Sequence, residues 1–250
     1  MKILLTSDTH YGMDHNTDKI HRKWLSEAKD ENPDIIIHAG DWTSSKQKQF
    51  KRTMGMFRET FPAIPILTVR GNHDFWDGDE EFGSIHEIFK QHEEWFREFN
   101  VHHLAKPFEK DGVAFFGFDG WYHNLNPETN DLAFMPNHVD EIPVHQYLSK
   151  LAHKDLGNLI GLDFVENGWI EKIAVCVTHF PPFSGWEPWD HRNPYGANPQ
   201  YMQFLADKFD FLCVGHSHKK EDFVKNFCRV LNAGSDYNEP AYLLFETGIE

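Results

Sequence analysis

The stretch Pro65-Ile66-Leu67-Thr68-Val69-Arg70-Gly71-Asn72-His73-Asp74 joins two kinds of sequence that rarely touch. Its first half is apolar and β-branched and predicts a strand over Pro65 to Arg70. Its second half packs an amide oxygen, an imidazole and a carboxylate into three adjacent residues behind a glycine. Polar ligands at that density have little structural use, and their place at the end of a strand is where open α/β sheets present groups to a ligand.

The same pairing recurs on both sides. Upstream, Lys2 to Ser7 predicts a strand that ends in Asp8-Thr9-His10, where the acid and the imidazole lie at i and i+2 and point to one side. Asp34 to Ala39 predicts a second, closed by Gly40-Asp41. Downstream, Lys172 to Thr178 ends at Thr178-His179, and Phe209 to Val214 runs into Gly215-His216-Ser217-His218, with two imidazoles again at i and i+2. Further strands are expected at Val113 to Phe118, Arg229 to Asn232 and Ala241 to Phe245. Between them, Ile20, Trp24, Leu25 and Ala28 mark one helical face, and Phe50, Met54, Phe57 and Phe61 a second. A third helix starts at the capping-box sequence Ser84-Ile85-His86-Glu87, and a fourth at Asn198-Pro199. The alternation makes this an α/β chain.

With 250 residues, 22 Phe and 8 Trp, the chain can fill one sizeable core, so a single domain over 1–250 is expected. Irregular insertions are expected near 120–141 and 181–197, where Pro, Asn, His and aromatic residues follow no period. Apolar runs reach only about five residues against the roughly 20 of a membrane helix, and the first residues lack the features of a signal peptide, so a cytoplasmic location is expected. Cys176, Cys213 and Cys228 form no CxxC pair and suit buried, reduced thiols. The net charge of −15 argues against a duplex nucleic-acid or membrane partner. The one basic stripe, Lys46, Lys48, Lys51 and Arg52, fits a solvated helix face.

Taken together, D-x-H, G-D, G-N-H-D, T-H and G-H-x-H over Asp8 to His218 resemble, in content and order, the calcineurin-like metallophosphoesterase superfamily. The resemblance implies a two-sheet β-sandwich flanked by helices. It implies that Asp8, His10 and His218 hold one metal, that Asn72, His179 and His216 hold a second, and that Asp41 bridges them. His73 would be the acid or transition-state partner, steadied by Asp74. The donor set of oxygen and imidazole suits two divalent ions, Mn²⁺ first, with Fe, Zn²⁺ or Ni²⁺ as alternatives. Two such ions about 3.5–4 Å apart can share a hydroxide nucleophile and clamp both sides of the phosphorus.

Where many members have an acidic residue three positions after Asp41, this chain has Ser44, and no Arg-Gly follows, which disfavours a Ser/Thr protein phosphatase. Phe180-Pro181-Pro182 is similar to the His-His-Pro-Pro run of small-molecule phosphodiesterases, with Phe180 in place of the second histidine. The expectation is a phosphodiesterase for a small or nucleotide-type phosphoester. The alternatives are a DNA nuclease of the recombination-repair type, a phosphomonoesterase and, last, a non-catalytic scaffold. Of the chain's other histidines, His123, His138, His145 and His191 could touch a substrate phosphate, and the loop aromatics Trp121, Tyr122, Trp186, Trp189 and Tyr195 could stack on a nucleobase or simply pack the loops down; none is placed among the site residues.

Overall fold

A computed structural model of the chain describes residues 1–13, 17–121, 129–136, 138–139, 142–181 and 199–248. In chain order the elements are β1 (Lys2–Thr6), α1 (Thr17–Asp30), β2 (Ile35–Ala39), α2 (Gln47–Thr60), β3 (Ile66–Val69), α3 (Ile85–Glu98), β4 (Val101–His103), β5 (Phe108–Lys110) and β6 (Val113–Phe118). There follow α4 (Thr129–Phe134), β7 (His138–Val139), β8 (Ile142–Pro143), α5 (Val144–Ile160), β9 (Ile173–Thr178), α6 (Pro199–Lys208), β10 (Phe211–Val214), β11 (Glu221–Lys225), β12 (Cys228–Asn232) and β13 (Leu243–Glu246).

Of these thirteen strands, β7 and β8 pair antiparallel by themselves, and the other eleven form two mixed sheets, ordered β13-β1-β2-β3-β4 and β11-β12-β10-β9-β6-β5. In each, the central strands run parallel, and the antiparallel pairings are those of β13 with β1, β11 with β12 and β5 with β6. Alternate side chains explain the layers. Ile3, Leu5, Ile35, Ile37, Leu67 and Val69 of the first sheet meet Val113, Phe115, Val175, Val177, Cys213 and Leu231 of the second in one shared core. The opposite faces, Leu4, Ile36 and Ile66 on one sheet and Ala114, Phe116, Cys176 and Val214 on the other, are covered by helices. Trp24 and Leu25 of α1 and Phe50, Met54 and Phe57 of α2 pack on the first, and Leu156 and Leu159 of α5 with Leu205 of α6 on the second. The two-sheet sandwich flanked by helices is therefore what the chain forms. All three cysteines are buried as free thiols.

The parallel strands β1, β2, β3, β9 and β10 all deliver their C-terminal loops to one end of the sandwich, and those loops are the five motif segments. Among the described residues no helix is long and apolar enough to cross a membrane.

The segment expected to be irregular near 120–141 holds α4 and β7, so that expectation is corrected over its second half. Six residues of helix are too few to display a period. Their order comes from tertiary packing, with Met135 and Val139 buried beside Phe75, Trp76, Ile85 and Ile88. The 181–197 segment lies outside the described residues apart from Pro181, as do Asn198, Tyr122, His123, Trp186, Trp189, His191 and Tyr195. Trp121 is buried against Phe75 and Phe180.

Candidate metal centre

Backbone geometry at the motif loops is unusual in one consistent way. Asp8, His10, Asp41, His216 and His218 all have positive φ, between 42° and 66°. A side chain in that region costs of order 1–2 kcal/mol, and residues tolerate it chiefly where surrounding structure and function demand it. Gly40, at φ 89°, makes the turn after β2, and a Cβ there would lie 2.7 Å from the His179 ring and 2.7 Å from the Gly71 amide. The bare backbone is what lets the loops after β2, β3 and β9 converge.

The side chains converge with them. Three overlapping groups, Asp8–His10–His218, His10–Asp41–His73 and Asp8–Asp41–His179, can each bring one ligand atom per residue within 4.8 Å of the others. Asp41 stands in two of the three. Its Oδ2 is 3.7 Å from His10 Nε2 and 3.4 Å from His179 Nε2, while Oδ1 accepts the His73 backbone N–H at 2.9 Å. His10 Nε2 and His218 Nε2 face each other at 3.3 Å, and His218 Nε2 lies 3.6 Å from Asp8 Oδ1. On the far side, the Asn72 amide oxygen is 3.2 Å from His179 Nε2. The His216 ring sits 5.2 Å from that of His179, and its backbone N–H donates to the Asp8 carboxylate at 2.9 Å. All seven ligand positions expected from the sequence thus border one centre, with His73 beside them.

The electrostatics call for cations. Asp8, Asp41 and Asp74 are buried, and among the described residues none pairs with a lysine or arginine. Burial pushes the Asp8 carboxyl up in spite of His218 and His179. Burial opposes ionisation of Asp41 too, but the surrounding imidazoles, His179 foremost, hold it well below the usual carboxylate range. Conversely, burial depresses His10 and His216, each with imidazole neighbours adding to the effect. His179, despite its burial, is raised to about 9 by Asp41. Uncompensated buried carboxylates are costly, and imidazole nitrogens facing each other across 3.3 Å cannot both carry protons. Two divalent cations resolve both problems, and the oxygen and imidazole donors fit them.

Several ring nitrogens that do not face the centre are anchored. His179 Nδ1–H donates to the Ala39 carbonyl (2.8 Å), and His218 Nδ1–H to Asp236 Oδ1 (2.8 Å), which leaves Nε2 of each as the free donor atom. His73 Nδ1–H donates to the Ser44 carbonyl (2.5 Å), so its Nε2 is the nitrogen available to the centre. Here the geometry corrects the expectation for Asp74, whose carboxylate does not steady His73. It accepts three backbone N–H groups, from Asp41 (2.9 Å), Gly71 (2.9 Å) and Trp42 (2.8 Å), and so clamps the loops after β2 and β3 together. The reason is direction: Asp74 points back under its own turn, while the His73 ring lies against Trp76, 3.7 Å between centroids.

Three neighbours escape the sequence motifs. Asp236 orients His218 from just beyond the Asn232-Ala233-Gly234-Ser235 turn, whose Asn232 amide braces the His216 loop by donating to Ser217 Oγ (2.8 Å) and the Gly215 carbonyl (3.2 Å). Tyr237, 40% exposed, covers His10 at 4.4 Å and His218 at 5.1 Å. Arg70, the residue before Gly71, is buried and held by Asp119 (2.9 Å) and Glu93 (2.7 Å), which fixes the end of β3.

Comparison with known proteins agrees with this geometry. The sequence matches the calcineurin-like phosphoesterase family over residues 1–220. Among solved structures, a phosphopantetheinyl hydrolase from Mycobacterium tuberculosis superposes with a TM-score of 0.72 at 14% identity, covering 95% of this chain and 90% of that one. A dimetal phosphatase from Danio rerio does so at 0.61 and 12%, covering 98% and 91%. A curated Danio rerio transmembrane protein with a metallophosphoesterase domain is 27% identical over 81 residues, 32% of this chain, and the match spans 18% of that protein's length. The chain belongs to the calcineurin-like phosphoesterase family and is built as a metal-dependent phosphoester hydrolase.

Proposed function

We propose that the chain is a dinuclear-metal phosphodiesterase acting on a small or nucleotide-type phosphoester, with Mn²⁺ as its working ion. One observation carries the reading: five strand-end loops bring buried carboxylates and imidazoles within ligand distance of one another around Asp41, with no lysine or arginine paired to those carboxylates among the described residues. Asp8, His10 and His218 would hold one ion, Asn72, His179 and His216 the other, with Asp41 between. The ions, when bound, supply an activated water and offset the phosphoryl charge.

The chain's own residues do the rest. His73, its Nδ1 tied to Ser44, offers Nε2 to protonate the leaving oxygen or to stabilise charge on the phosphoryl group. Phe180, where small-molecule phosphodiesterases have a second histidine, is buried against the His179 and His216 rings at 5.0 and 4.7 Å, which excludes water from that side of the centre. The duplex-nuclease alternative loses its basic stripe, because every member is matched by an acid: Lys46 by Asp79, Lys48 by Glu81, Lys51 by Glu98 and Arg52 by Asp18.

The test is initial rates on bis(p-nitrophenyl) phosphate beside p-nitrophenyl phosphate, with chelator-stripped protein reloaded with Mn²⁺. The diester should turn over faster, and His73→Ala should lose about 10²–10⁴-fold. Turnover of the monoester alone would make the chain a phosphatase; no turnover with any divalent ion would leave a non-catalytic scaffold.

A further inference from the structure

Asn72 is the one candidate ligand that could turn either an acceptor oxygen or an NH₂ group toward the centre. A carboxylate presents a lone pair from either oxygen and a neutral imidazole always carries one on a ring nitrogen, whereas a carboxamide presents oxygen or NH₂ according to what lies on its other side. In this structure the other side is Asp131 of α4. Its Oδ1 accepts the Asn72 Nδ2–H at 3.0 Å and the Trp76 indole N–H at 2.8 Å, and the residue is buried. An ionised carboxylate can only accept, so it selects the NH₂ of the amide and turns the Asn72 oxygen toward His179 Nε2, 3.2 Å away. The second bond holds the indole that stacks on His73 at 3.7 Å. The helix bearing Asp131 is seated on the same turn, since the Asp77 N–H donates to the Phe134 carbonyl (2.8 Å) and the Phe134 ring stacks on Trp76 at 4.9 Å.

We infer that Asp131 is a positioning residue of the metal centre: it sets the orientation of Asn72 and thereby the affinity of the Asn72–His179–His216 half of the site, while leaving the Asp8–His10–His218 half untouched. The inference rests on the two-metal reading above. It gives the insertion between β6 and β9 a function that the five motifs do not contain. A chain could keep every motif and lose its second ion by losing this one aspartate.

The experiment is calorimetric titration of chelator-stripped protein with Mn²⁺, beside thermal melts of the metal-free forms. Wild type should bind two equivalents. Asp131→Leu should weaken one binding step by about 10–100-fold, the usual effect of removing a hydrogen bond behind a metal ligand, and leave the other step unchanged. Asp131→Asn, which keeps an acceptor oxygen, should recover most of the loss, and it carries the test should the leucine variant fold poorly. Asn72→Ala supplies the double-mutant cycle: if Asp131 acts through Asn72, adding either Asp131 substitution to it weakens Mn²⁺ no further. Equal weakening of both steps, additivity in the cycle, or a lowered melting temperature with both affinities intact would each overturn the inference and leave the two-metal reading standing. Fewer than two equivalents in wild type would remove both.

Discussion

Gly71→Ala tests the centre with the smallest change the chain permits. The backbone at Gly71 is not in the left-handed region, so alanine meets no conformational penalty there, and any effect must come from its methyl group. That methyl would lie 2.1 Å from Asp41 Oδ1, 2.7 Å from Asp41 Cγ and 2.7 Å from the Asp41 backbone nitrogen. Restoring an ordinary contact of 3.4 Å moves the oxygen by about 1.3 Å, and the backbone nitrogen rules out relief by side-chain rotation alone. The movement breaks the 2.9 Å bond from the His73 N–H to Oδ1. Overpacking costs roughly 1–3 kcal/mol and a lost hydrogen bond to a charged group about 1.5–3, so about 3 kcal/mol together is expected. At this chain length that lowers Tm by roughly 6–12 °C. A displacement of about 1 Å in the Asp41 carboxylate should also reduce kcat by about 10²-fold. Gly157→Ala in α5, where an added methyl meets nothing within 4 Å, is the control and should be neutral or stabilising by about 0.5–1 kcal/mol. Melts with and without Mn²⁺, together with kcat on the diester, read both effects. Wild-type Tm and kcat in Gly71→Ala would show that Asp41 need not occupy the position given it here.

Two shorter predictions concern charge. Asp74→Asn turns one of the two carboxylate oxygens that accept the three backbone N–H groups into a donor, and should cost about 2–3 kcal/mol in a urea melt while leaving the acid limb of the rate–pH profile in place; a shifted limb with unchanged stability would restore Asp74 as the partner of His73. Glu221, on the edge strand β11, has its carboxyl raised to about 7 by burial against the pull of Lys219. Because the folded state holds that proton more tightly, the stability it confers is present at low pH and is lost as pH rises from about 4.5 to 7. Glu221→Gln should therefore be more stable than wild type at pH 8, by about 1 kcal/mol once discounted for half exposure, and equal to it near pH 4.5. Equal stability at pH 8 would contradict the burial argument.

What the sequence displays and what it hides divide along a physical line. β6 falls where the apolar run Val113 to Phe118 places it, and β1, β2, β3, β9 and β10 fall within one or two residues of expectation, because buried parallel strands read as continuous apolar runs. Of the edge strands, β13 also falls within two residues of expectation, but β4, β5 and β11 have no counterpart in the sequence reading. β11 is Glu221-Asp222-Phe223-Val224-Lys225, mostly exposed, and β5 is three residues long; charges on an edge guard it and erase the pattern at once. The long helix α5 escapes the strand-by-strand reading although Val144, Leu148, Leu156 and Leu159 carry its buried face. At the site, ligands next to strand ends are legible because the strand aims them. Asp131 and Asp236 are not, since each meets its partner only through the fold, 59 and 18 residues away, and a lone aspartate in a polar segment looks like any solvated one.

That division also explains why the centre is costly as well as recognisable. Five candidate ligands sit in left-handed backbone, and three carboxylates are buried with no lysine or arginine partner among the described residues, so the chain without cations carries strain and desolvation at the same point. The compensation visible in the structure comes from hydrogen bonds behind the ligands. Asp74 ties three amides under the loops after β2 and β3, Asn232 ties the loop after β10, and carbonyls of Ala39 and Ser44 hold two of the imidazoles. The first two sets of bonds fix loops and the carbonyls fix imidazole donor atoms, all without an ion, and the residual charge is left for the ion to satisfy. A hydrolase that must orient a water and a phosphoryl group within a few tenths of an ångström gains from that order of events, because the orientation is settled during folding and does not have to be met again in each turnover.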